Sequence, residues 1–351
     1  MKFKFLLFIL IIWQTGISQI GVGTGFVGKQ KRLGKKHQAY VKQKLEDFKK
    51  TKTIFVLSDV YDKATYDSIL KASWHVTPFE VVKQKDFNFN DYAGNQYSYA
   101  FLDWEKAIFM KNNQPTGSAI VRVYIEIFMY DFNNIKKQLS KLSKKRRAKK
   151  IGDIFEQNKK LVARFFLYPT GDFASFMVKN DSSENNDVNK KLYNEDVLYN
   201  YKPGFLKNYF QKVDNLIQKN QVYWMYVKNP EYLPELKNLK KKTLYVPDFV
   251  ARKFNGLERE KKTSKKFLDK IFKNYDYKYQ MISSDELNKK IMNNEPIYYL
   301  MYVRVSSERF VSVVNAQTGE IVYRAYHKFG YELKSKHISK LNKTIQKAAK
   351  N

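Results

Sequence analysis

The chain has 351 residues, a formal net charge of +31 and no cysteine. The missing thiols exclude disulfides, thiol catalysis and a lipid-anchored N-terminal Cys. Hydrophobic residues make up 43% of the chain, and its length suggests two domains that can fold on burial alone.

The charge predicts an anionic partner: lipid head groups, acidic glycan or, least favoured, nucleic acid. Of the 65 basic residues only ten are Arg, the residue best suited to bidentate phosphate recognition. Lys, Asn, Ile, Tyr and Phe are all abundant, a bias that an AT-rich genome imposes, so part of the charge is compositional.

At the start of the chain, Lys2 and Lys4 precede an apolar run from Phe5 to Trp13, and Gly16 and Ser18 follow. The run is too short to cross ~30 Å of hydrocarbon. The order fits a signal peptide over residues 1–18, cut after Ser18. The rest is expected to be exported, to the periplasm or cell surface, with no transmembrane segment in the mature chain. Residues 19–50 read as a Gly-rich start and a basic helix, Lys36 to Lys50, with Tyr40, Val41, Leu45 and Phe48 inward. Gly23, Gly25 and Gly28 spell GxGxxG, but only the signal precedes them and Gln30 stands where a phosphate loop needs Ser or Thr. The stretch is read as a tether, and no cofactor is expected.

From residue 51 the pattern repeats. Thr53–Asp59 and Thr243–Asp248 each read as a strand ending at an acid. Each is followed by an apolar-periodic helix, Tyr66 to Trp74 and Lys266 to Tyr275, and then by a second strand, Phe79–Lys83 and Tyr277–Ile282. Ser284 opens a short helix in the second copy, with Glu286 in its first turn. Both copies then show strand, Thr-Gly-acid, strand: Leu161–Pro169, Thr170-Gly171-Asp172 and Phe173–Val178; Arg309–Val314, Thr318-Gly319-Glu320 and Ile321–Tyr326. Tyr97–Phe109 and Ala119–Phe132 compete as the counterpart of Pro296–Val305. Both copies close on a helix, Phe205–Lys219 and Glu332–Lys347.

The expected fold class is therefore α/β (α+β): two duplicated β-α-β-(α)-β-β-β-α repeats with mixed sheets, over 51–220 and 241–351, joined by a connector at 221–240 that includes a strand from Val222 to Val227. The first repeat carries insertions. One, at about 133–160, is basic and helical. The other, at 179–196, is polar and expected to be a mobile loop.

The arrangement, with Val313, Val314, Asn315, Thr318, Gly319, Glu320, Ile321 and Val322 near the end, resembles the small α/β domains of exported envelope proteins, such as the TolB N-terminal domain and the curli-secretion CsgG family. An Asn stands where that family usually has Asp. The style also resembles exported proteins of Bacteroidota. The resemblance covers about a quarter of the chain and implies binding or assembly in the envelope without chemistry.

Among titratable residues, His37, His75, His327 and His337 never stand at i, i+3 or i, i+4, so no helical metal pair is expected. Asp59 and Asp248 lie just past strand ends, where α/β sheets present ligand-binding groups. Asp103 and Glu105 flank Trp104, but alternation puts both acids on the face away from the ring. The most pointed feature is a run of nine cations: Lys136, Lys137, Lys141, Lys144, Lys145, Arg146, Arg147, Lys149 and Lys150. Ile135, Leu139 and Leu142 at helical spacing would dock one side of it. Near an anionic membrane each such charge contributes about 1 kcal/mol before screening. The leading expectation is an exported, non-enzymatic envelope binding or assembly protein that contacts an envelope protein or an anionic surface through this insertion. The alternatives are a secreted hydrolase of glycan or peptide, using Asp59, Asp248 or Asp103, and a secreted polyanion binder.

Overall fold

The computed structural model describes residues 19–23, 35–111, 114–180, 186–225, 229–255, 258–261, 265–328 and 330–350. Residues 1–18, expected to be a signal, and Gly25 and Gly28 of the glycine motif lie outside the described residues.

The first repeat runs β1 (Ile20–Val22), α1 (Lys35–Lys49), β2 (Lys52–Leu57), α2 (Lys63–Lys71), β3 (Phe79–Lys83), two 3-10 turns, β4 (Tyr97–Lys111), β5 (Gln114–Tyr130), α3 (Phe132–Ser140), α4 (Lys144–Gln157), β6 (Lys159–Leu167), α5 (Gly171–Lys179), α6 (Asn186–Asn194) and α7 (Pro203–Gln218). Its sheet has the order β1-β6-β5-β4-β2-β3. The β2 strand is parallel to β3 and β4, and every other pairing is antiparallel.

The second repeat runs β7 (Glu231–Tyr232), a 3-10 segment (Pro234–Lys240), β8 (Leu244–Pro247), the small hairpin β9 (Lys253–Asn255) and β10 (Glu258–Lys261), α8 (Lys265–Phe272), β11 (Tyr279–Ile282), α9 (Ser284–Met292), β12 (Tyr298–Val305), β13 (Glu308–Asn315), β14 (Ile321–His327) and α10 (Ser335–Ala348). Its sheet, β7-β14-β13-β12-β8-β11, has the same order and the same directions. The duplication is thus drawn in the topology: β2 matches β8, β3 matches β11, β4 matches β12, and each repeat opens on a short strand that pairs with its own last strand.

Local chemistry explains the elements. Residues 53–57 of β2 are all buried, as a strand covered on both faces requires. Asp62 caps α2 by accepting from the Thr65 N–H at 2.8 Å, and Tyr66, Ile69 and Leu70 form its buried stripe. Pro203 opens α7, where a missing N–H costs nothing.

The structure corrects four expectations. Thr170-Gly171-Asp172 is no hairpin: Thr170 caps α5, accepting from Phe173 N–H, and residues 173–178 are helical. The Thr-Gly-acid signal serves helix starts and turns alike, so β6 is the counterpart of β14, not of β13. The segment 179–196 is not simply a loop, because Val188, Leu192 and Tyr193 of α6 are buried at helical spacing. Of the expected connector strand, residues 222–225 form no strand, residue 223 making an isolated bridge to Val22, and residues 226–227 lie outside the described residues; a short strand stands instead at Glu231–Tyr232. Finally, Tyr40, expected inward, points outward at 54% exposure; ahead of the glycine motif, Ile20–Val22 forms a buried edge strand that no sequence signal assigned.

The two closing helices differ in setting. The α10 helix buries one face. By contrast, α7 is buried nearly all round and joins the repeats. Phe210 packs edge-on against Phe55, Trp74 and Phe165 of the first repeat. Phe205 packs on Tyr299 and Phe249 of the second. The polar residues of α7 complete the joint. Asn208 donates to the Ala316 carbonyl at 2.9 Å and accepts from the Tyr299 hydroxyl at 3.0 Å, while Lys212 pairs with Glu320. Asp214 accepts from the His75 and Val76 N–H groups at 2.7 Å, within the first repeat. Burial raises the Asp214 carboxyl above its ordinary pKa despite these donors.

Candidate functional site: the basic helical insertion

One face of the first sheet is covered by α1, α2 and α7. The other carries an aromatic layer that includes Tyr99, Phe101, Phe128 and Tyr130. An aromatic layer of that size must be shielded from water. Phe87 and Phe89 at the 3-10 turns cover Phe101 and Tyr99, and helices α3 and α4, inserted between β5 and β6, close over the Tyr130 end. Phe132 and Phe155 close on Tyr130 at 5.9 and 5.1 Å and on Phe89 at 6.0 and 5.4 Å. Ile135 and Ile154 are buried beside them, and Leu139 and Leu142 are half-buried.

The stem of the insertion is fixed by polar bonds. Asp131 caps α3, accepting from Asn134 N–H at 3.1 Å, and pairs with Lys160 at 2.9 Å. Lys160 first, then the Asn134 N–H, holds the Asp131 carboxyl below its ordinary pKa. Asn158 ends α4: its amide donates to the Ile154 carbonyl at 2.7 Å and its side-chain oxygen accepts from Asn134 at 2.6 Å. The Phe132 N–H donates to Asn95 at 2.9 Å. A seated, doubly capped pair of helices presents its outer surface in one geometry.

That outer surface holds all nine predicted cations. Lys136, Lys137, Lys141, Lys144, Lys145, Arg146, Arg147, Lys149 and Lys150 are every one exposed. Among the described residues, no carboxylate oxygen lies within 4.0 Å of any of them. Arg147 Nε donates to the Leu142 carbonyl at 2.9 Å, bracing the α3–α4 corner. One turn beyond, Ile151 is 46% exposed among the charges. Elsewhere on the same sheet several cations are paired with carboxylates. Arg164 pairs with Glu126 and Glu105, Lys159 with Glu126, and Arg122 with Glu105. Exposed lysines without a described carboxylate partner also lie on α10, at Lys336, Lys340, Lys343 and Lys347, but the insertion gathers nine cations between residues 136 and 150, where the field adds constructively.

The remaining candidates are dispersed. Asp59 follows β2 and its N–H donates to the Tyr193 carbonyl. Asp248 follows β8 and accepts from the Ser284 hydroxyl at 2.9 Å. The two thus occupy matching ends of separate sheets. Asp103 and Glu105 share a strand face, and buried Trp104 points the other way, donating to Asn189 at 3.0 Å. The Asp103 carboxyl is reached by solvent yet ringed by protein, and that crowding raises its pKa. His75 is exposed near Asp214, and the side chain of His37 is outside the described set. His327 and His337, far apart in sequence, stack at 4.0 Å in the second repeat, a pairing that spacing along one element could not reveal. Among the described residues, no group of three or more His, Asp or Glu is placed to hold a metal, and no helix is long and apolar enough to cross a membrane.

The fold and site together define a two-repeat α/β protein with a basic helical outgrowth. Comparison with protein-family models, curated proteins and solved structures found no match.

Proposed function

We propose that this protein is an exported, non-enzymatic binding or assembly protein of the cell envelope, and that the α3–α4 insertion holds it to an anionic surface. One observation carries the reading: nine exposed cations with no carboxylate partner among the described residues, on helices seated by Phe132, Ile135, Ile154 and Phe155. Each charge near an anionic lipid surface contributes about 1 kcal/mol before screening, so several together give reversible adhesion that salt weakens. The signal over residues 1–18 and the resemblance to exported envelope domains support the location.

The test replaces Lys144, Lys145, Arg146 and Arg147 together by Ala. Retention on heparin, and sedimentation with vesicles containing phosphatidylglycerol, should both fall at ~0.1 M salt. Unchanged retention of the quadruple variant on both would end this reading.

A further inference from the structure

A cleft of about 590 Å³ opens where the β4–β5 hairpin and α5 of the first repeat meet the β12–β13 turn of the second. That is the size range of small-molecule sites. Its lining combines two kinds of group. Phe109, Val121 and Tyr168 make an apolar wall, and Arg304, Lys179 and Ser306 are the principal polar groups. Among the described lining residues there is no carboxylate. Phe109 and Tyr331 are 38% and 49% exposed there, two of the few large hydrophobics left open to water. Arg304 is only 6% exposed, with its guanidinium 5.5 Å from the Tyr168 ring and 6.0 Å from the Tyr331 ring.

The backbone supplies a second, independent observation. Val305 pairs with Glu308, so residues 306 and 307 form a two-residue hairpin turn. Of these two, only Ser306 has positive φ, at 53°. That first position of the turn is where Gly is favoured, and an L residue there costs on the order of 1 kcal/mol. The turn tolerates Ser where Gly would be more stable, and the side chain so retained is a hydroxyl on the rim of the cleft.

We propose that this cleft binds a small organic anion with an apolar body, such as a medium-chain carboxylate. Its head would sit between Arg304, Lys179 and the Ser306 hydroxyl, and its body along Phe109, Val121 and Tyr168. The charge complementarity selects an anion over a neutral lipid, and the apolar wall selects against a free inorganic ion. The site shares no residue with the basic insertion, so either can fail without the other.

The probe is 8-anilinonaphthalene-1-sulfonate, titrated by fluorescence into the full chain. One saturable site is expected, emptied by octanoate and not by 1-octanol at equal concentration. Lys179→Glu on the exposed rim should weaken binding at least about tenfold, the loss of one charge-assisted contact. Ser306→Gly should weaken it about fivefold while the melting temperature holds or rises, a split that a purely structural role for Ser306 would not give. Ala174→Phe should fill the cleft and abolish binding; if that variant does not fold, the two rim variants carry the test. The proposal is overturned by absence of a saturable site, by octanol competing as well as octanoate, or by unchanged affinity in both rim variants.

Discussion

Between β5 and β6 the first repeat places residues 131–158, two capped helices bearing nine exposed cations. Between β13 and β14, at the matching hairpin, the second repeat places residues 316–320. There Gly319 takes φ +69°, and a Cβ at that position would lie 2.8 Å from the Asn208 carbonyl oxygen. The short turn is pressed against α7 and holds the repeats together; the long insertion faces water. One hairpin site has been used for internal cohesion in one copy and for an outward surface in the other. Two copies of a fold allow this, because one can keep the joint while its twin accepts new sequence.

The largest test of the contrast is Phe132→Ala. It removes a side chain only 4% exposed from the aromatic seat, and should cost about 3–5 kcal/mol in urea unfolding. Heparin retention should fall with it, because the cations lose their fixed geometry. If unfolding is unchanged, the insertion is not seated as described.

Next in size is an acid effect specific to the second repeat. Burial above all, then neighbouring cationic groups, pushes His327 down to about 4; burial, then His327 itself, pushes His337 down to about 2. The His337 Nδ1 accepts from the Lys334 N–H at 3.1 Å, and the Nε2 atoms of both rings are buried without a protein partner among the described residues. The unfolded chain takes up protons near pH 6.5, and the folded chain does so only at lower pH. Stability from the pair is therefore complete above pH ~6.5 and is lost as pH falls toward 4, by on the order of 3 kcal/mol for His327. His327→Phe should reduce this difference between pH 7.5 and 4.5, measured by urea midpoints, with His337 supplying the remainder; an equal slope in the variant would refute the linkage.

Gly319→Ala comes third. The positive φ and the close approach to α7 should cost about 1–3 kcal/mol, whereas Gly152→Ala in the insertion, where a Cβ meets nothing within 4 Å, should be neutral or stabilising. Equal effects at the two sites would erase the contrast. Smallest of all, Lys144→Ala and Lys145→Ala should leave thermal stability within about 0.5 kcal/mol while reducing salt-sensitive retention on heparin.

The repeat was readable in the sequence because its signals are local. The β2 and β8 runs end at Asp59 and Asp248, and the helices after them show apolar spacing at Tyr66, Ile69 and Leu70 and at Leu268, Ile271 and Phe272. The basic insertion was readable for the same reason. What escaped depended on distant partners. Thr170 became a helix cap because residues after it bury a helical stripe, and Ile20–Val22 became a strand because β6 lay open beside it. The joint made by the buried polar residues of α7 escaped too, since nothing near Asn208 or Lys212 in sequence announces Ala316, Tyr299 or Glu320. The cleft was invisible, because Lys179 and Arg304 belong to different repeats.

The first described strand has a further implication for how the chain is made. Val22 exchanges two backbone hydrogen bonds at 3.0 Å with Tyr223, and next to it the Gly23 N–H donates to Val162 at 2.8 Å. A ribosome adding 5–20 residues per second would need roughly 10–40 s to supply Tyr223 after Val22. Its ladder partners on β6, Ala163 to Phe165, are made earlier, so the strand can pair there first, and the bridge to Tyr223 closes this half of the molecule late in synthesis or after it.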